Sequence, residues 1–192
     1  MIHDDKINLS ELGKHLKNIP DNFIVLIVSP EDKYESTNIE ILKLLCNEEK
    51  SPGLYITFDK PYDLVSKTLH DAGVDTSKLF FIDLVTKTKK GSYERTENCL
   101  FIPSPNEISD LGIAIDESIH ASMNNKKFLF VDSVSALYFY NSAGTAKKFQ
   151  HFLTIRMRIG NLKGILMSLP GETEKEIVSF LAQFCDKTIN VQ

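Results

Sequence analysis

The chain has 192 residues, 42% apolar and 25% charged, enough for one domain with a full core and little more. Its net charge of −4 and pI near 5.7 work against sequence-independent nucleic-acid binding, which needs a basic surface. Three widely spaced cysteines, Cys46, Cys99 and Cys185, exclude a disulfide framework and match no zinc-ligand spacing.

Strand and helix signals alternate along the chain. Phe23–Val28 is a continuous apolar run rich in branched residues, the pattern of a strand buried on both faces. Ser36 to Cys46 reads as a helix, with Ile39, Leu42 and Leu45 on one stripe widened by Ile41 and Leu44. Pro52-Gly53 breaks that pattern before a second strand, Leu54–Phe58. Pro61 opens a helix that runs to Ala72 and stops at Gly73. Leu79–Val85 is the third strand.

Residues 86–100 read as an exposed insertion, with a hairpin returning through Cys99–Ile102. Its cations Lys87, Lys89, Lys90 and Arg95 are offset by Glu94 and Glu97, which points to a solvated loop. Ser104 to Asn106 supplies caps for a helix to about Met123, with Ile108, Leu111, Ile115 and Ile119 on one face. Phe128–Val131 is the fourth strand, Thr145–Asn161 a long helix and Gly164–Leu169 the fifth strand. Glu172–Phe184 is a helix and Lys187–Val191 a last strand. Strands separated by helices of this length imply parallel pairing through right-handed crossovers. The expected architecture is a three-layer α/β sandwich in a single domain, with helices on both faces of a mainly parallel sheet. Ligands of such sheets bind beyond the strand carboxyl ends, here Ser29, Asp59, the Asp83 region, Asp132 and Ser168.

The stretch from Ser29 to Thr37 sits where a phosphate-binding loop would lie, between a buried strand and a helix. Laid on G-x-x-x-x-G-K-[ST], the first glycine becomes Ser29, the second Tyr34, the lysine Glu35, and only Ser36 keeps its type. Such a loop wraps backbone N–H groups around phosphates, and its lysine neutralises them. Tyr34 adds bulk where bare backbone belongs, and Glu35 reverses the charge. One unit charge at ~4 Å and an effective dielectric of ~20 is worth roughly 4 kcal/mol, against about −8 kcal/mol for micromolar affinity.

Other residues carry two readings each. Ser36 and Thr37 are helix-capping hydroxyls or, with Lys33, phosphate and magnesium ligands. Asp132 caps the turn after its strand or holds magnesium. Asp59 is a solvent-facing carboxylate or a shortened general base. Asp116 and His120, four apart, form a surface pair. Phe149, Phe152, Leu153 and Met157 make a core stripe. Tyr138, Phe139 and Tyr140 divide between core and an exposed aromatic contact for a partner.

In order and type, these pieces resemble the RecA superfamily, and within it the KaiC-like branch of P-loop ATPases. Leu9–Leu12 through Ile19–Asn22 is similar to that family's lead-in, Phe128–Ser133 to its Walker B strand, and Cys185–Ile189 to its closing turn and strand. The resemblance implies a RecA-like sheet and a magnesium role for Asp132. It also implies water-polarising glutamates at the end of the second strand, where Asp59 and Lys60 stand instead. The family's basic finger, offered to a neighbouring subunit, would begin after Val191, and the sequence ends at Gln192. The expected function is therefore a non-catalytic RecA/KaiC-like domain without a cofactor, working in protein interaction or signalling. Its expected partners are proteins: copies of itself, or an intact ATPase paralogue. The alternative is a residual ATP-binding protein or slow ATPase using Lys33, Ser36, Thr37 and Asp132, with magnesium and with Asp59 near the water. An acidic N-terminus unlike a signal peptide, and no uncharged apolar run near the roughly 18 residues of a spanning helix, lead to the expectation of a cytoplasmic protein without a membrane segment.

Overall fold

Apolar runs too short for helices and too uniform for half-exposed strands become the buried strands of one sheet. A computed structural model describes residues 4–17, 19–87, 95–120 and 127–192. Among these residues the strands are β1 (Asp4–Ile7), β2 (Ile24–Val28), β3 (Gly53–Thr57), β4 (Leu79–Asp83), β5 (Cys99–Phe101), β6 (Phe128–Asp132), β7 (Lys163–Ser168) and β8 (Lys187–Val191). Their spatial order is β1-β8-β2-β7-β6-β3-β4-β5, and every pairing is parallel. All residues of β2, β6 and β7 are buried, the signature of strands covered on both faces.

Helices α1 (Leu9–Lys17), α2 (Glu31–Leu42) and α3 (Tyr62–Asp71) cover one face. Their Leu12, Leu16, Ile41, Val65 and Leu69 pack on Val25, Ile27, Tyr55, Phe81 and Phe130. The other face takes α4 (Ile108–His120), α5 (Val134–Tyr140), α6 (Ala143–Ile159) and α7 (Glu172–Ala182), against Ile24, Leu26, Ile56, Leu129 and Val131. Each strand thus sends alternate residues into two cores, as its period of two requires. Gly73, at φ +82°, takes the left-handed turn beyond α3 that a side chain would disfavour. Among the described residues no helix is long and apolar enough to cross a membrane.

The structure departs from the sequence expectations at five places. The polar segment Asp4–Ile7 is a strand, added in parallel to β8. The helix expected from Ser36 starts five residues earlier, at Glu31, and continues beyond Leu42 as a π-helical stretch, Lys43–Glu48. Val134–Tyr140 forms a helix of its own, α5, capped by Ser133. Cys99–Phe101 pairs in parallel with β4, Phe81 opposite Cys99, so it is not the return strand of a hairpin. The insertion is narrower than 86–100, because Thr86 and Cys99 are both buried; Lys89, Lys90 and Glu94 lie outside the described residues.

One glycine is fixed by packing. Gly53 opens β3 opposite Phe128 of β6, and a Cβ there would fall 2.1 Å from the Phe128 ring. Phe128 is itself buried, so its ring must shift to make room. Gly53→Ala is expected to destabilise the chain by about 1–3 kcal/mol through overpacking. The midpoint of urea unfolding measures this, and Phe128→Leu in the same chain should recover part of the loss.

Candidate functional site

In the sheet order, β7 and β6 separate β2 from β3, so the carboxyl ends of four strands converge on one crevice. Ser29 follows β2, Ser168 closes β7, Asp132 closes β6 and Thr57 closes β3. What fills the crevice follows from the start of α2. Pro30 is its N-cap, in extended geometry, and Glu31 and Asp32 occupy the first turn. Proline and acidic residues are what a helix start favours, since the lost N–H would be unpaired there and carboxylates suit the positive end of the helix dipole. The chain therefore passes from strand to helix through Ser29 and Pro30 alone.

This early start places Tyr34 on the sheet-facing side of α2, one turn in. Its Oη donates to Asp132 Oδ1 at 2.7 Å. From the neighbouring strand, Tyr55 Oη donates to Asp132 Oδ2 at 2.5 Å. Register explains this second bond: Tyr55 stands opposite Phe130, two residues before Asp132, and stacks on its ring at 5.0 Å. Asp132 is only 6% exposed. Burial raises its carboxyl above the usual range, while the bonds from Tyr55 and then Tyr34 pull it down. Both phenols are pushed well above their ordinary range, by burial first and the Asp132 charge second. Asn38, one turn beyond Tyr34, has its Oδ1 buried and unpaired.

The remaining candidates are used locally. Ser36 Oγ and Thr37 Oγ1 both donate to Lys33 O, at 2.9 and 2.8 Å, from inside the helix. They are not its caps, as the sequence had suggested; Pro30 holds that position. Thr37 also shares a 2.9 Å bond with buried Ser29. Lys33 is half-buried in the first turns of α2. Glu35 is paired with Lys60 Nζ at 3.4 Å across the mouth, and both are half-exposed, so the pair is worth about 0–1 kcal/mol. Thr57 Oγ1 donates to Lys60 O at 2.6 Å, closing a turn that leaves Asp59 in solvent. Across the crevice floor, Ser135 Oγ lies 3.1 Å from Ser168 Oγ and accepts from Leu169 N.

The structure thus joins Tyr34 to Asp132 and Lys60 to Glu35, and leaves the Asp59 side chain exposed. Tyr55, Asn38 and Ser135 are part of the site without having been singled out by sequence. A tyrosine inside an apolar strand was the available signal, because a buried phenol demands a partner. The aromatic trio divides: Tyr138 Oη donates to Gln150 Oε1 at 2.7 Å, whereas Phe139 is 83% exposed and stacks edge-on with Tyr140. Asp116 pairs with Arg156 at 2.9 Å, and the side chain of His120 lies outside the described ones. A cleft of about 500 Å³ opens at the opposite end of the sheet, by Gly53, Phe80, Arg95 and Lys127, far from the strand carboxyl ends. The crevice is the better candidate, since that is where this topology gathers polar groups.

A parallel sheet of this order, sandwiched between two helical layers, is a RecA-like α/β fold. The KaiC-like protein PH0186 from the hyperthermophilic archaeon Pyrococcus horikoshii OT3 has a similar structure, with a TM-score of 0.64 and 14% identity over 91% of this chain and 74% of that chain. At this identity the likeness speaks for the fold alone. The chain itself belongs to a family of unknown function, DUF7504, whose model matches residues 25–191. No curated protein matches it.

Proposed function

We propose that the chain is a non-catalytic RecA/KaiC-like domain, kept as a scaffold for binding other proteins in a regulatory or signalling role. The observation that carries this is Asp132: each carboxylate oxygen accepts a phenol in a buried setting, so a metal ion there would have to compete with two donors already in place. The rest of the crevice agrees. A triphosphate needs a loop of open N–H groups and a cation. Here helix α2 occupies that place, carries Glu31 and Asp32 in its first turn, and presents Glu35 where a lysine would neutralise phosphate. Magnesium and ATP therefore do not fit the residues present. Ser36 and Thr37 would have to give up their bonds to Lys33, and Asp59 stands in solvent.

The contact surface in this reading is the exposed pair Phe139 and Tyr140, anchored by Tyr138 and its bond to Gln150. Aromatic side chains of this kind are over-represented in interfaces. An acidic single domain with three free thiols suits a cytoplasmic protein that binds proteins rather than nucleic acid.

Titration calorimetry with Mg-ATP tests the proposal. The expected result is no saturable heat at concentrations up to about 1 mM. Binding tighter than about 100 μM, lost in both Ser36→Ala and Asp132→Ala, would replace the scaffold with the residual-nucleotide reading.

A further inference from the structure

Away from the crevice, α4 and α6 lie side by side and run in the same direction. A Cβ at Gly112 would meet Phe152 at 3.5 Å, Asp116 bonds Arg156, and Ile119 touches Gly160, so the two helices advance together. Between them is a groove of about 420 Å³ with an apolar floor of Ile108, Gly112, Phe149 and Phe152. Large apolar side chains stand in solvent nearby: Ile113, on the border of the groove, is 59% exposed, and Ile155 and Ile159, farther along α6, are 41% and 73% exposed. The two helices carry opposite charge. Helix α4 holds Asp110, Asp116 and Glu117 with no lysine or arginine. Helix α6 holds Lys147, Lys148, Arg156 and Arg158 with no acidic residue.

We infer that this face is the contact between two copies of the chain, related by a twofold axis parallel to the helices. The charge pattern selects the occupant. A surface that is acidic on one side, basic on the other and apolar in the middle is its own complement. It also selects the axis. A twofold axis perpendicular to the helices lays α4 on α4, acid against acid, while the parallel axis lays α4 on the other copy's α6. The parallel axis keeps heights along the helices unchanged. Asp110 then stands within about two residues' rise, ~3 Å, of Lys148 on the second copy, and Ile113 meets Phe152 and Ile155. Apolar centre and charged rim are the usual order of such interfaces.

This inference rests on the reading of the chain as an interaction module and names its partner. It is independent of the crevice, so calorimetry with nucleotide and measurement of mass can fail separately. Sedimentation equilibrium over a dilution series reads the result. The wild type is expected to dimerise. Asp110→Lys and Lys148→Asp are each expected to weaken the dimer about tenfold or more, because each places like charges together twice. The double variant restores the pair with its signs exchanged, so its dimer should return toward wild-type strength. Both positions are exposed, and unchanged circular dichroism would verify that each variant is folded. A wild type that stays monomeric at every concentration overturns the inference, as would a dimer indifferent to the single reversals or a folded double variant that fails to recover.

Discussion

Replacing Tyr55 by alanine is expected to cost about 3–5 kcal/mol, the range for deleting a large aromatic side chain from a packed core. That is a large share of the 5–15 kcal/mol that holds a typical domain together. Tyr55 sits on a central strand, stacks on Phe130, tilts against Phe81 at 5.3 Å and donates to Asp132. Tyr55→Phe keeps the rings and removes only the donor. Its cost should be about 1–3 kcal/mol, set by a buried carboxylate oxygen left without a partner. Urea denaturation of the three chains separates ring packing from hydrogen bonding. Equal losses for the alanine and phenylalanine variants would show that the bond to Asp132, not the aromatic stack, carries the stabilisation.

The second large effect concerns pH. Burial raises the Asp132 carboxyl above its unfolded value, and the phenol bonds only partly offset this. A group of this kind contributes stability that is fully present below the unfolded value, ~3.9, and is lost as pH rises through the folded one. Asp132→Asn has no proton to lose. It should cost about 1–3 kcal/mol in acid, where one phenol loses its acceptor. The difference from wild type should then shrink steadily as pH rises. Unfolding free energies measured across the acid-to-neutral range test the sign. A wild type that gains on the variant with rising pH would mean that the two phenols outweigh desolvation and that the aspartate is held as an anion.

The fold was legible because burial on both faces leaves a mark in one dimension. Runs such as Phe23–Val28 and Phe128–Val131 have no polar residue to place them at a surface, and proline or glycine separates several from the helices that follow. Asp4–Ile7 left no such mark. It is an edge strand with one buried apolar residue, Ile7, and its order comes from backbone pairing with β8 and from Asp5 meeting Lys187 at 2.8 Å. Helix α5 was hidden for the opposite reason: Val134–Tyr140 is apolar nearly throughout, so no helical period stands out, although Ser133 was a readable cap.

The crevice was half legible. Reading Ser29–Ser36 against a loop template drew attention to the misfit of Tyr34 and Glu35, yet it hid the local signal. Pro30-Glu31-Asp32 is a helix start by composition. Once the helix begins there, Tyr34 changes from an obstacle into a donor. Its pairing with Asp132 spans 98 residues and Tyr55's spans 77. Separations of that size depend on the order of strands in space, which no window along the chain contains.

That strand order has a consequence for biosynthesis. Strand β8 lies between β1 and β2, with Asp5 opposite Ile189 and Leu26 opposite Thr188. On the ribosome, β1 emerges first and finds its neighbour only when β8 has been delivered. Until then one side of β2 is an open ladder, free to recruit strands from other nascent chains. Closing it late, through contacts of long sequence separation, makes assembly slow and gives chaperones that shield unpaired strands their longest opportunity at this edge.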